Sequence, residues 1–168
     1  MLQIHGRFVR TNEEFYLFNI YGPCDLRAKE ELWDALSMRL QSLRGRKVCV
    51  YGDFIAVRSL EERRSVKGGG LAHDSNPFNL FIEDYGFVDF PFCGRSYTWF
   101  KGDDTSMSRI DRYLLLEDWC LRWPNCFQVH LLRGLSDHCP LQLPIDEENW
   151  GPQPTRMLKC WQDVLGYK

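Results

Sequence analysis

The chain has 168 residues, 44% of them hydrophobic and 14% aromatic, which suits one folded domain and excludes a disordered chain. With 21 Lys and Arg against 23 Asp and Glu the formal net charge is -2, so the overall basic coat of a non-specific nucleic-acid binder is absent, although a local basic face is not excluded. The cysteines (Cys24, Cys49, Cys93, Cys120, Cys126, Cys139 and Cys160) are scattered without a CxxC pair, which argues against a zinc ribbon and against a disulfide scaffold.

Leu2, Ile4 and Phe8 with Phe15, Leu17 and Phe18 flank the polar run 10–14 and predict a hairpin that opens the chain. The second strand ends at Asn19-Ile20-Tyr21-Gly22-Pro23, where Gly-Pro enforces a turn. Asp25 can cap a helix over 26–44, with Leu32, Trp33, Leu36, Leu40 and Leu43 on one face and Gly45 as its stop. Lys47 to Tyr51 reads as an apolar strand ended by Gly52-Asp53-Phe54. The polar stretch 58–67 and Gly68-Gly69-Gly70 read as loop. No Lys-Ser/Thr follows the glycines, which rejects a P-loop.

A second helix begins near Asn76-Pro77, buries Phe78, Phe81, Ile82 and Tyr85, and closes at Gly86. Tyr97 to Phe100 and Ile110 to Leu116 predict strands around a polar loop over 101–108. A helical turn before Pro124, a strand over 127–132 and an edge strand over 139–145 follow. Residues 1–145 form the expected domain, and 146–168 a linker with an amphipathic piece over 157–165. Strands interleaved with few helices predict layered α/β packing with chemistry on the loops at strand ends.

Polar residues follow apolar strands at Asn19 with Tyr21, at Asp53, and at Ser136-Asp137-His138. Asp111 lies inside an apolar strand between Arg109 and Arg112, where an inward carboxylate needs a partner or a metal. Phosphodiester hydrolysis needs a carboxylate to orient water, a cation on the phosphate, and donors for the developing charge. Asp53, Asp111, Asp137, His138 and Tyr21 can supply this set. Plain readings stand beside it: Asp53 as a turn former, Tyr21 as a packed aromatic, Asp111 as a surface ion pair, and Ser136-Asp137-His138 as a loop cap. Arg39, Arg44, Arg46 and Lys47, and Arg58, Arg63, Arg64 and Lys67, form two local basic groups that suit either phosphate contact or a solvated surface. His5, His73 and His130 read as structural or solvated.

The ordered set Asn19-Ile20-Tyr21-Gly22-Pro23, Tyr51-Gly52-Asp53-Phe54, Tyr97-Thr98-Trp99, Ser108-Arg109-Ile110-Asp111-Arg112-Tyr113-Leu114 and Ser136-Asp137-His138-Cys139-Pro140-Leu141 resembles the endonuclease/exonuclease/phosphatase superfamily. It is most similar to the endonuclease domain of plant LINE-type (non-LTR) retrotransposon proteins. The resemblance implies a two-sheet β-sandwich with outer helices in four layers, DNA as partner, and Mg²⁺ or Mn²⁺ as cofactor. No small-molecule cofactor is expected; no apolar window is long enough to cross a bilayer, and the scattered cysteines with an N-terminal run unlike a signal peptide predict the nucleus or cytoplasm.

By position, the resemblance implies Tyr21, Asp53, Asp111 and His138 as catalytic residues. Asn19, Trp99 and Arg109 are the implied substrate contacts, and Asp137 and Asp53 the metal ligands. Two departures stand out. Ile55 occupies the place of an Asn that donates to the phosphate, a loss of about 3 kcal/mol in transition-state stabilisation. The family's early Asn and metal-binding Glu are expected to precede Met1, leaving the sheet incomplete at its front. Together these departures predict impaired or absent catalysis. The alternative is a non-catalytic remnant that binds nucleic acid or protein weakly.

Overall fold

The computed structural model describes residues 1–65, 75–90, 92–94, 96–103 and 105–145. The expected triple-glycine loop, Lys67, His73, Cys160 and the 146–168 linker lie outside the described residues.

A five-stranded sheet carries the architecture. Its strands are β1 (Leu2–Arg7), β2 (Glu14–Tyr21), β3 (Lys47–Asp53), β9 (Asp111–Leu115) and β5 (Val88–Asp89), in the order β1-β2-β3-β9-β5. The hairpin β1–β2 is antiparallel, β2 and β3 are parallel, and β9 returns antiparallel to both β3 and β5. The parallel pair requires a crossover, which α1 (Leu26–Gln41) provides. Asp25 caps that helix by accepting from the Ala28 amide at 2.9 Å. The helix ends three residues earlier than its apolar pattern suggested, and turns lead to Gly45 at φ 71°.

Two three-stranded sheets complete the strand inventory. One joins β6 (Phe92–Cys93), β10 (Gln128–His130) and β11 (Leu141–Gln142), in the order β11-β10-β6. The other joins β4 (Arg63–Ser65), β7 (Trp99–Phe100) and β8 (Ser106–Ser108), in the order β4-β8-β7. Where the resemblance implied two sheets, the described residues form three, because the stretches expected as loops over 58–67 and 101–108 pair with each other through β4 and β8. The edge strand expected over 139–145 shortens to β11, consistent with its prolines at 140 and 144.

The central sheet is covered on both faces. On one side Phe18, Ile20, Val48, Val50 and Leu114 meet Trp33, Leu36 and Leu40 of α1 and Phe78, Phe81 and Ile82 of α2 (Ser75–Tyr85). The indole of Trp33 lies flat against Phe78 and Phe81 at 5.3 and 5.2 Å. On the other side Cys49 and Leu115 pack with Trp119 of α3 (Glu117–Arg122), Trp123 and Cys126. The six cysteines described are free thiols, and burial pushes the Cys120 thiol up to about 11. No helix among the described residues is long and apolar enough to cross a membrane.

Candidate active site

Strand periodicity builds the site. Alternate residues share a sheet face, so the register of β2, β3 and β9 lays down parallel rows on the face opposite the helices. Leu17, Cys49 and Leu115 form an apolar row within the second core. Asn19, Tyr51 and Tyr113 form the next. Tyr21, Asp53 and Asp111 form the last, at the open end of β3. Residues dispersed over 90 positions of sequence thus become one line of cross-strand neighbours. Gly52 makes the close approach possible: it sits at φ 129°, and a Cβ there would collide with the Ile20 carbonyl.

His138 meets that last row from the segment before β11. Its Nδ1–H donates to Asp111 Oδ2 at 2.9 Å, which leaves Nε2 facing Asp53 Oδ2 at 4.0 Å. The backbone around the pair is pinned by Thr98, which is fully buried. Its Oγ1 accepts the amides of both Ile110 and Asp111 at 3.0 Å, and its carbonyl accepts the Cys139 amide at 2.7 Å. One threonine therefore fixes the acid and the histidine relative to each other. Ser136 Oγ accepts the His138 amide at 3.0 Å.

Asp53 is held from its own strand end. Its Oδ1 accepts the Ile55 amide at 2.9 Å, and its carbonyl accepts the Gly22 amide at 2.6 Å. This turn forces Ile55 to φ 48°, a left-handed conformation that a β-branched side chain adopts only under constraint. The buried Lys29 donates through Nζ to the Ile55 carbonyl at 2.7 Å.

The charge balance is acidic. Burial raises the Asp53 pKa; the Ile55 amide opposes this, and the Asp111 charge adds to it. Burial works against the His138 imidazolium, but the Asp111 hydrogen bond and the charges of Asp111, Asp53 and Asp137 outweigh it and raise its pKa.

The remaining expected residues divide. The phenol of Tyr21 is at the row's open end with the residue 77% exposed, and Asn19 is one row back. Trp99 donates its indole N–H to Asp137 Oδ2 at 2.9 Å, which lowers the Asp137 pKa, and its backbone bridges to His138. Trp99 thereby braces the histidine segment. Arg109 points elsewhere: its guanidinium bonds Asp89 at 2.6 Å and Glu62 at 3.3 Å and lies over the Phe92 ring. The basic groups are also largely occupied, with Arg46 and Lys47 against Glu14 and Glu13, and Arg58 against Asp89.

Thr98 and Lys29 were missed as site residues. Lys29 carried a signal, since it shares the helix face of Trp33, Leu36 and Leu40. Thr98 offered none beyond its place in a motif, because its role depends on strands that meet only in the fold.

Donor atoms of Asp53, Asp111 and His138 lie within 4.8 Å of one another, and Asp137 falls outside that group. Two hard carboxylates beside an imidazole, with a further acid at the rim, fit a divalent cation. Mg²⁺ takes carboxylate oxygens and keeps several waters, and imidazole joins more readily around a transition metal.

No protein-family model and no curated protein sequence matches the chain. Solved structures do. A 3′ phosphatase from Neisseria bound to a product DNA hairpin aligns at TM-score 0.61 and 19% identity, over 81% of this chain and 62% of that one. A mannosyl-6-phosphatase from Bacteroides thetaiotaomicron aligns at 0.55 and 15%, over 85% and 55%. An endonuclease/exonuclease/phosphatase family protein from the same organism aligns at 0.55 and 16%, over 84% and 53%. The chain thus spans between about half and three-fifths of the length of these structures, and over that span it has the fold of endonuclease/exonuclease/phosphatase proteins.

Proposed function

We propose that this chain carries a divalent-metal phosphodiesterase site of the DNA endonuclease type, related to the LINE-type retrotransposon endonucleases of plants. The observation that carries the reading is the His138–Asp111 hydrogen bond at 2.9 Å, set on a sheet row with Asp53 facing the other imidazole nitrogen. The ordered motifs from Asn19 to Leu141 support the retrotransposon relationship. The three sheets then belong to the four-layer sandwich of that family, within a domain over 1–145, in a nuclear or cytoplasmic protein.

In this reading Asp111 holds the imidazole in one tautomer and favours its charged form, so that Nε2–H donates to a phosphoryl oxygen. Asp53, made a stronger base by the burial that raises its pKa, orients the attacking water. Tyr21 and Asn19 border the phosphate from β2. A cation held by Asp53, with Asp137 or Asp111 near it, would neutralise the phosphate as negative charge develops on it. Arg109 and Trp99 act by supporting the site from behind.

A second reading, a non-catalytic nucleic-acid or protein-binding module, is favoured by one observation: Ile55 occupies the strained turn beside Asp53 and offers the phosphate no side-chain donor. Nicking of supercoiled DNA with Mg²⁺ or Mn²⁺ decides between them. Metal-dependent nicking that disappears in both His138→Ala and Asp53→Ala supports the first reading. Salt-sensitive DNA binding without nicking in the parent chain supports the second.

A further inference from the structure

Beside the His138–Asp111 pair lies a cavity of about 330 Å³. Tyr51 and Tyr113 line it, and Pro140 and Leu141 form part of its wall. The two tyrosines are direct cross-strand neighbours, with ring centroids 5.5 Å apart and planes within 16°. Tyr113 is fixed by donating its hydroxyl to the Leu141 carbonyl at 3.2 Å. The Tyr51 hydroxyl has no hydrogen-bond partner among the described residues. A half-buried aromatic pair beside the reacting row is more than that row requires.

We propose that this cavity is a ring subsite. It takes the planar heterocycle of a nucleotide whose phosphate is bound at the Asp53–Asp111–His138 row, so it rests on the phosphodiesterase reading and adds the chemical class of the group next to the phosphate. Three observations carry it. Tyr51, Tyr113, Pro140 and Leu141 give one side of the cavity a flat aromatic and apolar surface, which suits the face of a base, while the polar groups lie on the side of the row. The tyrosines sit two residues back along their strands from Asp53 and Asp111, about 7 Å away, which is the span of one sugar between base and phosphate. His138 and Asp111 line the same cavity, so ring and phosphate share one continuous space.

Equilibrium titration of the full chain tests this with 2′-deoxyadenosine 5′-monophosphate, 2-deoxyribose 5-phosphate and free 2′-deoxyadenosine. The expected result is nucleotide affinity roughly tenfold above that of the sugar phosphate. Tyr51→Leu, which keeps an apolar strand residue, should abolish that ratio, and Tyr51→Phe should keep it; both should retain the parent's thermal midpoint. Free deoxyadenosine should shift the ring resonances of Tyr51 and Tyr113, in His138→Ala as well as in the parent. Equal affinity for nucleotide and sugar phosphate overturns the subsite, as does a ratio unchanged by Tyr51→Leu; phosphate binding lost in His138→Ala would then leave the phosphodiesterase reading standing. Ring shifts with deoxyadenosine, but no gain from its phosphate, would keep the subsite and sink that reading instead.

Discussion

Two ionic clusters are built from neighbouring residues of one motif, and they differ in almost every physical respect. Arg109 and Arg112 join Glu62 and Asp89 in a buried network, with Arg112 fully enclosed and bonded to Glu62 at 2.6 Å and to Asp89 at 2.7 Å. Arg58 adds a third cation at its edge, and Gln128 donates to Asp89 at 3.3 Å. Burial opposes the Arg112 charge, but Glu62 and Asp89 outweigh it and raise its pKa. The buried Nε atoms of Arg109 and Arg112 keep no hydrogen-bond partner among the described residues. Asp111, between those arginines in sequence, faces the other way. It joins Asp53 and Asp137 around a single histidine, half exposed, with the acids in excess. The closed cluster spends its charges on each other and ties β5 and β9 to the turn that leads into β4. The open one leaves its acidic charge in excess, as the proposed cation and phosphate site requires.

The sharpest way to break this contrast is to remove a charge from each side. Arg112→Ala should lower unfolding free energy by about 3–5 kcal/mol, because Glu62 and Asp89 would remain buried without their main cation. His138→Ala should cost far less, since the His138 side chain is 32% exposed and its removal lets water reach Asp111 and Asp53, whereas Asp89 lies at 1%. Denaturant titration of both variants checks the ranking, and equal losses would mean that the open cluster is structural too.

A smaller effect of opposite sign is expected at the turn beside Asp53. Ile55→Asn replaces a β-branched residue at φ 48° with one that tolerates the left-handed region, and should stabilise the fold by about 1 kcal/mol. For a chain of this size that raises the thermal midpoint by roughly 2–4 °C. A fall in the midpoint would mean that packing of the Ile55 side chain outweighs its backbone strain.

Local chemistry made much of the fold legible. The Asp25 cap, the apolar face through Trp33, Leu36 and Leu40, and the alternation along β2 and β3 all depend on near neighbours. The site's residue types were legible through the motifs, and the resemblance also paired Asp111 with His138, which are hydrogen-bonded at 2.9 Å; chain neighbours alone showed neither that pairing nor the partner of Arg112. Asp111 has arginines on both sides in sequence, yet its hydrogen-bonded partner is 27 residues away. Arg112 pairs with Glu62, 50 residues away, in a stretch that reads as solvated loop. Strand direction decides both outcomes: Asp111 and Arg112 are consecutive, so they project from opposite faces. Which face carries the open cluster depends on where His138 and Glu62 lie, and no spacing in the sequence encodes that.

The subtlest difference between the clusters is their response to pH. The folded His138 has a pKa above its ordinary 6.5, so its pairing with Asp111 stabilises the fold fully below 6.5 and fades as pH rises through the raised folded value. Asp53 also has a raised folded pKa, but from 3.8, so its own contribution is complete below 3.8 and is lost as pH rises through its folded value. The Asp53 window thus opens at 3.8 and the His138 window at 6.5. Arginines of the closed cluster stay charged throughout and contribute no slope near neutrality. Unfolding midpoints measured from pH 6 upward should fall across the His138 window in the parent and stay level in His138→Gln. A slope that survived the substitution would have to come from another titrating group, and the pH-sensitive character assigned to the open cluster would then belong elsewhere in the chain.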